Sequence, residues 1–218
     1  FGENEDLDSY PADRERDLDI MREAGVDAVF APSVGEMYPP GDTFSIDPGP
    51  IGDCLEGAQR PGHFRAVATV VAKLFNATRP NLTYFGEKDA QQLEVVRRLA
   101  RDMPFGIEVV PVPTVRDERG LALSSRLAYL SDAERSAAEC VYASLCTTRD
   151  MWAAGERSTS TLESAMRAVI ESEPLATLGY AAVVDPGTFE SWNTGANPLA
   201  LAAVVIGTTR LIDNIRLN

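Results

Sequence analysis

Histidine is almost missing from this chain: His63 is the only one in 218 residues. A zinc site built on paired histidines, or a serine–histidine–aspartate relay, has no material to draw on. Cysteine is scarce as well. Cys54, Cys140 and Cys146 show no CxxC spacing, and any disulfide scheme leaves one thiol over. That usage favours a reducing compartment, so a cytoplasmic location is expected. No apolar run approaches the ~20 residues of a membrane span, and no secretory signal pattern is read. Positive charge is short too: 20 Lys and Arg stand against 33 Asp and Glu, a net charge of -13. Nucleic acid and anionic membranes are therefore excluded as main partners. An anionic ligand would need a local cluster of cations and backbone donors.

What remains is an ordinary globular composition, 44% hydrophobic and 24% charged, long enough for one large domain or two small ones. Phe1-Gly2-Glu3-Asn4-Glu5-Asp6 carries neither a methionine nor a leading strand, so the chain is expected to begin partway through a domain. The stretch to Tyr10-Pro11 is acidic and expected as loop or short helix. A helix is predicted over 13–24, stopped by Gly25, and a strand over 26–32. The Pro- and Gly-rich stretch 39–50 is loop, with 43–46 a possible edge strand.

Phe64, Val67, Ala68, Val71, Ala72 and Phe75 recur at helical spacing and predict an amphipathic helix. A strand at 81–85, a helix burying Leu93, Val96 and Leu99, and a strand at 108–113 follow. This alternation means a parallel sheet covered by helices. Beyond Arg126 the character changes. Ser131-Asp-Ala-Glu134 and Ser160-Thr-Leu-Glu163 read as capping boxes, the first opening a long helix toward Ala154. Strands at 180–184, 199–206 and 210–215 then make a small, antiparallel sheet. The fold class expected is α/β followed by a small α+β unit, divided at 1–114 and 115–218.

In parallel sheets ligands collect at the carboxyl ends of strands. One such end is Gly86-Glu87-Lys88-Asp89, where a helix start aims backbone N–H groups at one spot and Lys88 adds a mobile cation. Gln91 and Gln92 lie one turn deeper. Alone, this stretch reads as a solvated helix start. Leu123-Ser124-Ser125-Arg126 supplies hydroxyls and a forked guanidinium suited to a polyphosphate, with Arg116 and Arg119 nearby raising the local positive charge. By itself it reads as a polar loop. His63 stands at a helix start as either an acid–base group or a structural one. No metal-ligand spacing occurs, so any metal is expected to be Mg2+ carried by a nucleotide.

Phe85–Leu93 (FGEKDAQQL), Leu55–Asn76 (LEGAQRPGHFRAVATVVAKLFN), Pro113–Arg126 (PTVRDERGLALSSR) and Thr208–Ile215 (TTRLIDNI) together resemble the pantothenate synthetase family, the pantoate–β-alanine ligases. DSYP near the start and VFAPSVGEMYP at 29–39 extend the likeness over nearly the whole chain. The resemblance implies a Rossmann-like nucleotidyl-transferase domain closed by a small α+β lid, in a homodimer. It implies attack of the (R)-pantoate carboxylate on ATP to give pantoyl adenylate and pyrophosphate, then displacement of AMP by β-alanine.

Carried onto this sequence, it implies ATP binding by Gly86, Glu87, Lys88, Asp89, Val115, Leu123, Ser124, Ser125 and Arg126. Lys88, Ser124, Ser125 and Arg126 are then the catalytic set. Gln92, Glu56 and Arg60 are implied on the pantoate and β-alanine side. No tightly bound cofactor and no resident metal are implied. The family's PTMGxLHxGH block does not occur in these residues, nor do the first strand and helix of the sheet that it would supply. The alternative is a catalytically silent relative that keeps a partial nucleotide site or a dimer surface.

Overall fold

The computed structural model describes residues 10, 12–195 and 197–218; the expected loop or short helix before Tyr10 lies outside the described residues. Helix α1 (Arg14–Glu23) starts on Asp13, whose carboxylate accepts from the Arg16 amide at 3.0 Å. It ends at Gly25, whose φ of 76° suits glycine.

The strand expected at 26–32 does not form. These residues run as irregular chain, with Val29 44% and Phe30 53% exposed. A strand exists only as part of a ladder, and no described strand lies alongside to take its backbone groups. The stretch 43–46 is likewise irregular. The Ile46 amide turns inward to the Thr69 hydroxyl at 2.9 Å instead of joining a sheet. Between the two lies a single turn, α2 (Val34–Met37), closed by a Ser33–Glu36 capping box.

After the short α3 (Glu56–Gln59), the predicted amphipathic helix appears as α4 (His63–Thr78). Strand β1 (Leu82–Gly86), helix α5 (Ala90–Asp102) and strand β2 (Glu108–Val112) follow. β1 and β2 pair in parallel, Leu82 opposite Glu108 through Gly86 opposite Val112. The sheet thus has two described strands rather than the three expected. Val71, Ala72 and Phe75 of α4 meet Val96 and Leu99 of α5 in one core, with Phe105 edge-on to Phe75 at 5.6 Å.

The helix expected to run unbroken to Ala154 is two helices, α6 (Asp132–Ala137) and α7 (Glu139–Ala153), meeting at the fully buried Ala138. The Ser131–Glu134 capping box is present. The second box is not. Helix α8 (Thr159–Glu171) is capped by Ser158 rather than Ser160, and Glu163 instead accepts from the Val183 amide at 2.9 Å. Glu163 thereby ties the helix to the sheet.

Strands β3 (Ala176–Val184), β4 (Leu199–Ile206) and β5 (Thr209–Arg216) form an antiparallel sheet in that order. The central strand is apolar throughout because both of its faces are covered. Ala200, Ala202, Val204 and Ile206 pack toward the α7 and α8 side. Leu199 and Leu201, on the opposite face, share a core with Phe64, Ala68 and Val95 of α4 and α5. That shared core brings the open face of the antiparallel sheet against the end of the parallel one.

Candidate active site

The junction of the two sheets holds a cavity of about 690 Å3, walled by α3, the turn after β1, residues 121–129 and β5. The turn after β1 is Glu87–Asp89, one turn of 3-10 helix leading into α5. The helix therefore begins where the sequence places it. Lys88 and Asp89 line the cavity. The Lys88 side chain is 20% exposed, and its ammonium stands 3.7 Å from the Asp89 carboxylate, too far for a tight pair.

Facing it, residues 115–123 fold back through an isolated antiparallel bridge between Arg116 and Ala122. The Leu123 amide donates to the Val115 carbonyl at 2.9 Å. Ser124 then caps a 3-10 segment, Ser125–Tyr129, by accepting from the Arg126 amide at 3.3 Å. Of the stretch expected as loop, Leu123 and Ser124 are irregular, while Ser125 and Arg126 open the 3-10 segment. Ser124 and Arg126 line the cavity. The Arg126 guanidinium also lies 5.9 Å from the centre of the Tyr10 ring, and the Tyr10 hydroxyl donates to Ser125 at 3.3 Å. Tyr10 thus touches the residues that carry this wall.

Glu56 and Arg60 form a third side. Glu56 is 5% exposed. Its carboxylate takes two hydrogen bonds from Arg210 at 2.7 Å each and one from the Tyr180 hydroxyl at 2.9 Å. Its amide donates to Gln91, whose own side-chain amide is spent on the Ile51 and Cys54 carbonyls at 2.7 and 2.9 Å. Arg60 donates to His63 Nε2 at 3.0 Å. Since arginine can only donate, that ring nitrogen accepts, which fits the structural reading of His63.

Other expected residues fall elsewhere. Gly86, Glu87 and Ser125 adjoin the cavity in sequence without lining it, and Gln92, half-buried on α5, is also outside the lining. Val115 and Leu123 are exposed, at 62% and 50%. Arg116 and Arg119 do not add free positive charge. Arg116 forks onto Asp213 and stacks on Tyr142 at 4.2 Å. Arg119 pairs with Glu139 at 2.9 Å. Among the described residues no group of three or more His, Cys, Asp or Glu converges as a metal site, and no helix is long and apolar enough to cross a membrane.

The residue patterns predict β5 as a strand but assign none of its residues to the site. Arg210, Ile212 and Asp213 line the cavity, and Asn214 reaches the Lys88 turn from behind. The alternation Arg210, Ile212, Asn214 places three of these side chains on one face of the strand, with Asp213 on the other.

Comparison with known proteins decides the family. The Pantoate-beta-alanine ligase family model matches residues 1–216. The chain belongs to the pantoate–β-alanine ligase family. Within it, the pantothenate synthetase of Roseiflexus sp. (strain RS-1) is 53% identical over 215 residues, covering 98% of this chain and 77% of that protein. That of Rubrobacter xylanophilus is 50% identical over 226 residues, 100% of this chain and 78% of its own. The crystal structure of the Thermus thermophilus pantothenate synthetase superposes with a TM-score of 0.95 at 45% identity, over 100% of this chain and 79% of that one. A Francisella tularensis pantoate–β-alanine ligase complexed with β-γ ATP and β-alanine has a TM-score of 0.75 at 31% identity, over 97% of this chain and 72% of that one. The α/β fold with its separate antiparallel sheet is that of this family.

Proposed function

We propose that the cavity between the two sheets binds ATP and pantoate and joins pantoate to β-alanine through pantoyl adenylate, releasing pyrophosphate and then AMP. One observation carries this reading: Lys88 on one wall and Ser124 and Arg126 on another line a single cavity of about 690 Å3, a size suited to a nucleotide with a small acid. Four cations, Arg60, Lys88, Arg126 and Arg210, line it against three carboxylates, Glu56, Asp89 and Asp213, within a chain of net charge -13.

No protein nucleophile is needed. The pantoate carboxylate oxygen attacks the α-phosphorus, and the bond to the bridging oxygen breaks to release pyrophosphate. The β-alanine amine then attacks the acyl carbon, loses a proton, and AMP departs with the former carboxylate oxygen. The work of the protein is to bring two anions together and neutralise their charge. In this reading Lys88, Ser124, Ser125 and Arg126 grip the phosphates. Gly86, Glu87, Asp89, Val115 and Leu123 complete the nucleotide side through the turn and the 115–123 hairpin. Arg60 and Gln92 serve the pantoate and β-alanine side. Glu56 acts there by holding Arg210, since both its oxygens are engaged. Magnesium arrives with the nucleotide. Residues 1–114 form the nucleotide domain and 115–218 the lid, the working unit is a homodimer, and the location is cytoplasmic.

The test is pyrophosphate release from ATP by the full-length protein. Release should require pantoate and proceed without β-alanine, with AMP freed only when β-alanine is added. Release that ignores pantoate would defeat the proposal.

A further inference from the structure

Strand β5 turns one face toward the parallel sheet. Alternation puts Arg210, Ile212 and Asn214 on that side, opposite Leu211, Asp213 and Ile215. Arg210 meets Glu56. Asn214, 8% exposed, meets the turn that carries Lys88. Its side-chain amide donates to the Glu87 carbonyl and to the Lys88 carbonyl, both at 2.9 Å. Both partners are carbonyl oxygens, so the nitrogen of the Asn214 side chain must face them.

Neither the 3-10 segment Glu87–Asp89 nor α5 carries a side-chain cap of its own. Each carbonyl belongs to a rigid peptide plane. The plane joining 87 to 88 and the plane joining 88 to 89 flank the Lys88 Cα. Holding both oxygens therefore fixes the direction in which the Lys88 side chain leaves the backbone. Asn214 is itself anchored. It sits opposite Leu201 in the ladder, and its amide donates to the Asp213 carboxylate at 2.8 Å, the same group that receives Arg116.

We propose that Asn214 is a positioning residue for Lys88: the antiparallel sheet aims the phosphate-binding ammonium through two hydrogen bonds to the backbone of its turn. The proposal builds on the reading of Lys88 as a phosphate ligand. It makes β5 a part of the adenylation machinery although Asn214 does not itself line the cavity.

Two measurements on the full-length protein test it, using Asn214→Ala and the isosteric Asn214→Asp. Amide hydrogen exchange across 86–90 should accelerate ~10-fold or more in both variants while the cooperative thermal transition is kept. Pantoate-dependent pyrophosphate release should fall about 10- to 100-fold in the parent background. In a Lys88→Ala background, adding Asn214→Ala should cost less than about twofold, because the group it aims is gone. Unchanged exchange at 86–90 would overturn the proposal. So would an equal loss with and without Lys88, or loss of the folding transition in both variants. If the parent releases no pyrophosphate at all, the functional reading fails, and the exchange measurement still decides the role of Asn214.

Discussion

Glu56 and Arg210, 154 residues apart, are joined by two hydrogen bonds of 2.7 Å in a fork-to-fork pair at the cavity wall. The Glu56 side chain is 7% exposed and that of Arg210 26%, with the Tyr180 hydroxyl on the same carboxylate. Burial and the neighbouring carboxylate push the Tyr180 phenol far above its ordinary range, so it stays a donor at any working pH. Removing one partner strands a buried charge. Glu56→Ala should therefore cost about 3 kcal/mol or more of unfolding free energy, and Glu56→Leu with Arg210→Met should recover most of it. Urea unfolding of the parent and the two variants checks this. A cost below about 1 kcal/mol for the single change would mark the pair as solvent-weakened.

Gly57 follows Glu56 and admits no side chain. A methyl group there would stand 1.9 Å from the Gly52 carbonyl oxygen and 3.3 Å from the Phe64 ring. The first neighbour is backbone and cannot swing aside. Gly57→Ala should destabilise by about 2 kcal/mol or more by forcing α3 off the chain beneath it. A urea midpoint equal to that of the parent would show that α3 is free to shift.

The capping box at the start of α6 makes stability depend on pH. The Ser131 hydroxyl, at 2.7 Å, and the Ser131 amide, at 2.9 Å, both donate to Glu134 and lower its pKa. A carboxyl with a lowered folded-state pKa stabilises above its unfolded pKa and loses that contribution as pH falls through the folded value. The parent should therefore exceed Glu134→Gln in urea midpoint at pH 7, with the gap closing below about pH 4. A gap that stays constant across that range would assign the effect to packing instead.

Lys88 makes one loose ionic contact at 3.7 Å, so the fold does not depend on its charge. Lys88→Ala should leave the thermal midpoint within a few degrees, yet remove about 2 kcal/mol or more of transition-state stabilisation from adenylation. Stopped-flow pyrophosphate release compares the two. A near-parental rate would place the phosphates elsewhere.

Local elements were legible where one stretch carries its own pattern. The apolar stripe of α4, the strand–turn–helix at Phe85 to Leu93 and the Ser131 capping box all follow from neighbours in sequence. Val26–Pro32 has strand composition without a ladder, and composition cannot show whether a pairing partner exists. The Ser160 box fails for a related reason: Glu163 answers to Val183, 20 residues on. The Lys88 and Ser124–Arg126 walls were readable as two phosphate-friendly stretches. Arg116 reads in the sequence as added local positive charge because its partner Asp213 lies 97 residues away. Asn214 meets its turn from 126 and 127 residues away, a distance no local pattern spans.

The central claim is that a pantoate carboxylate oxygen attacks the α-phosphorus of ATP in this cavity. Pantoate carrying a heavy oxygen isotope in its carboxylate, turned over by the full-length protein with ATP and β-alanine, tests that bond directly. The predicted result is AMP bearing the heavy isotope on its phosphate, by mass spectrometry, alongside pyrophosphate. Unlabelled AMP, or ADP with inorganic phosphate in its place, would contradict the account.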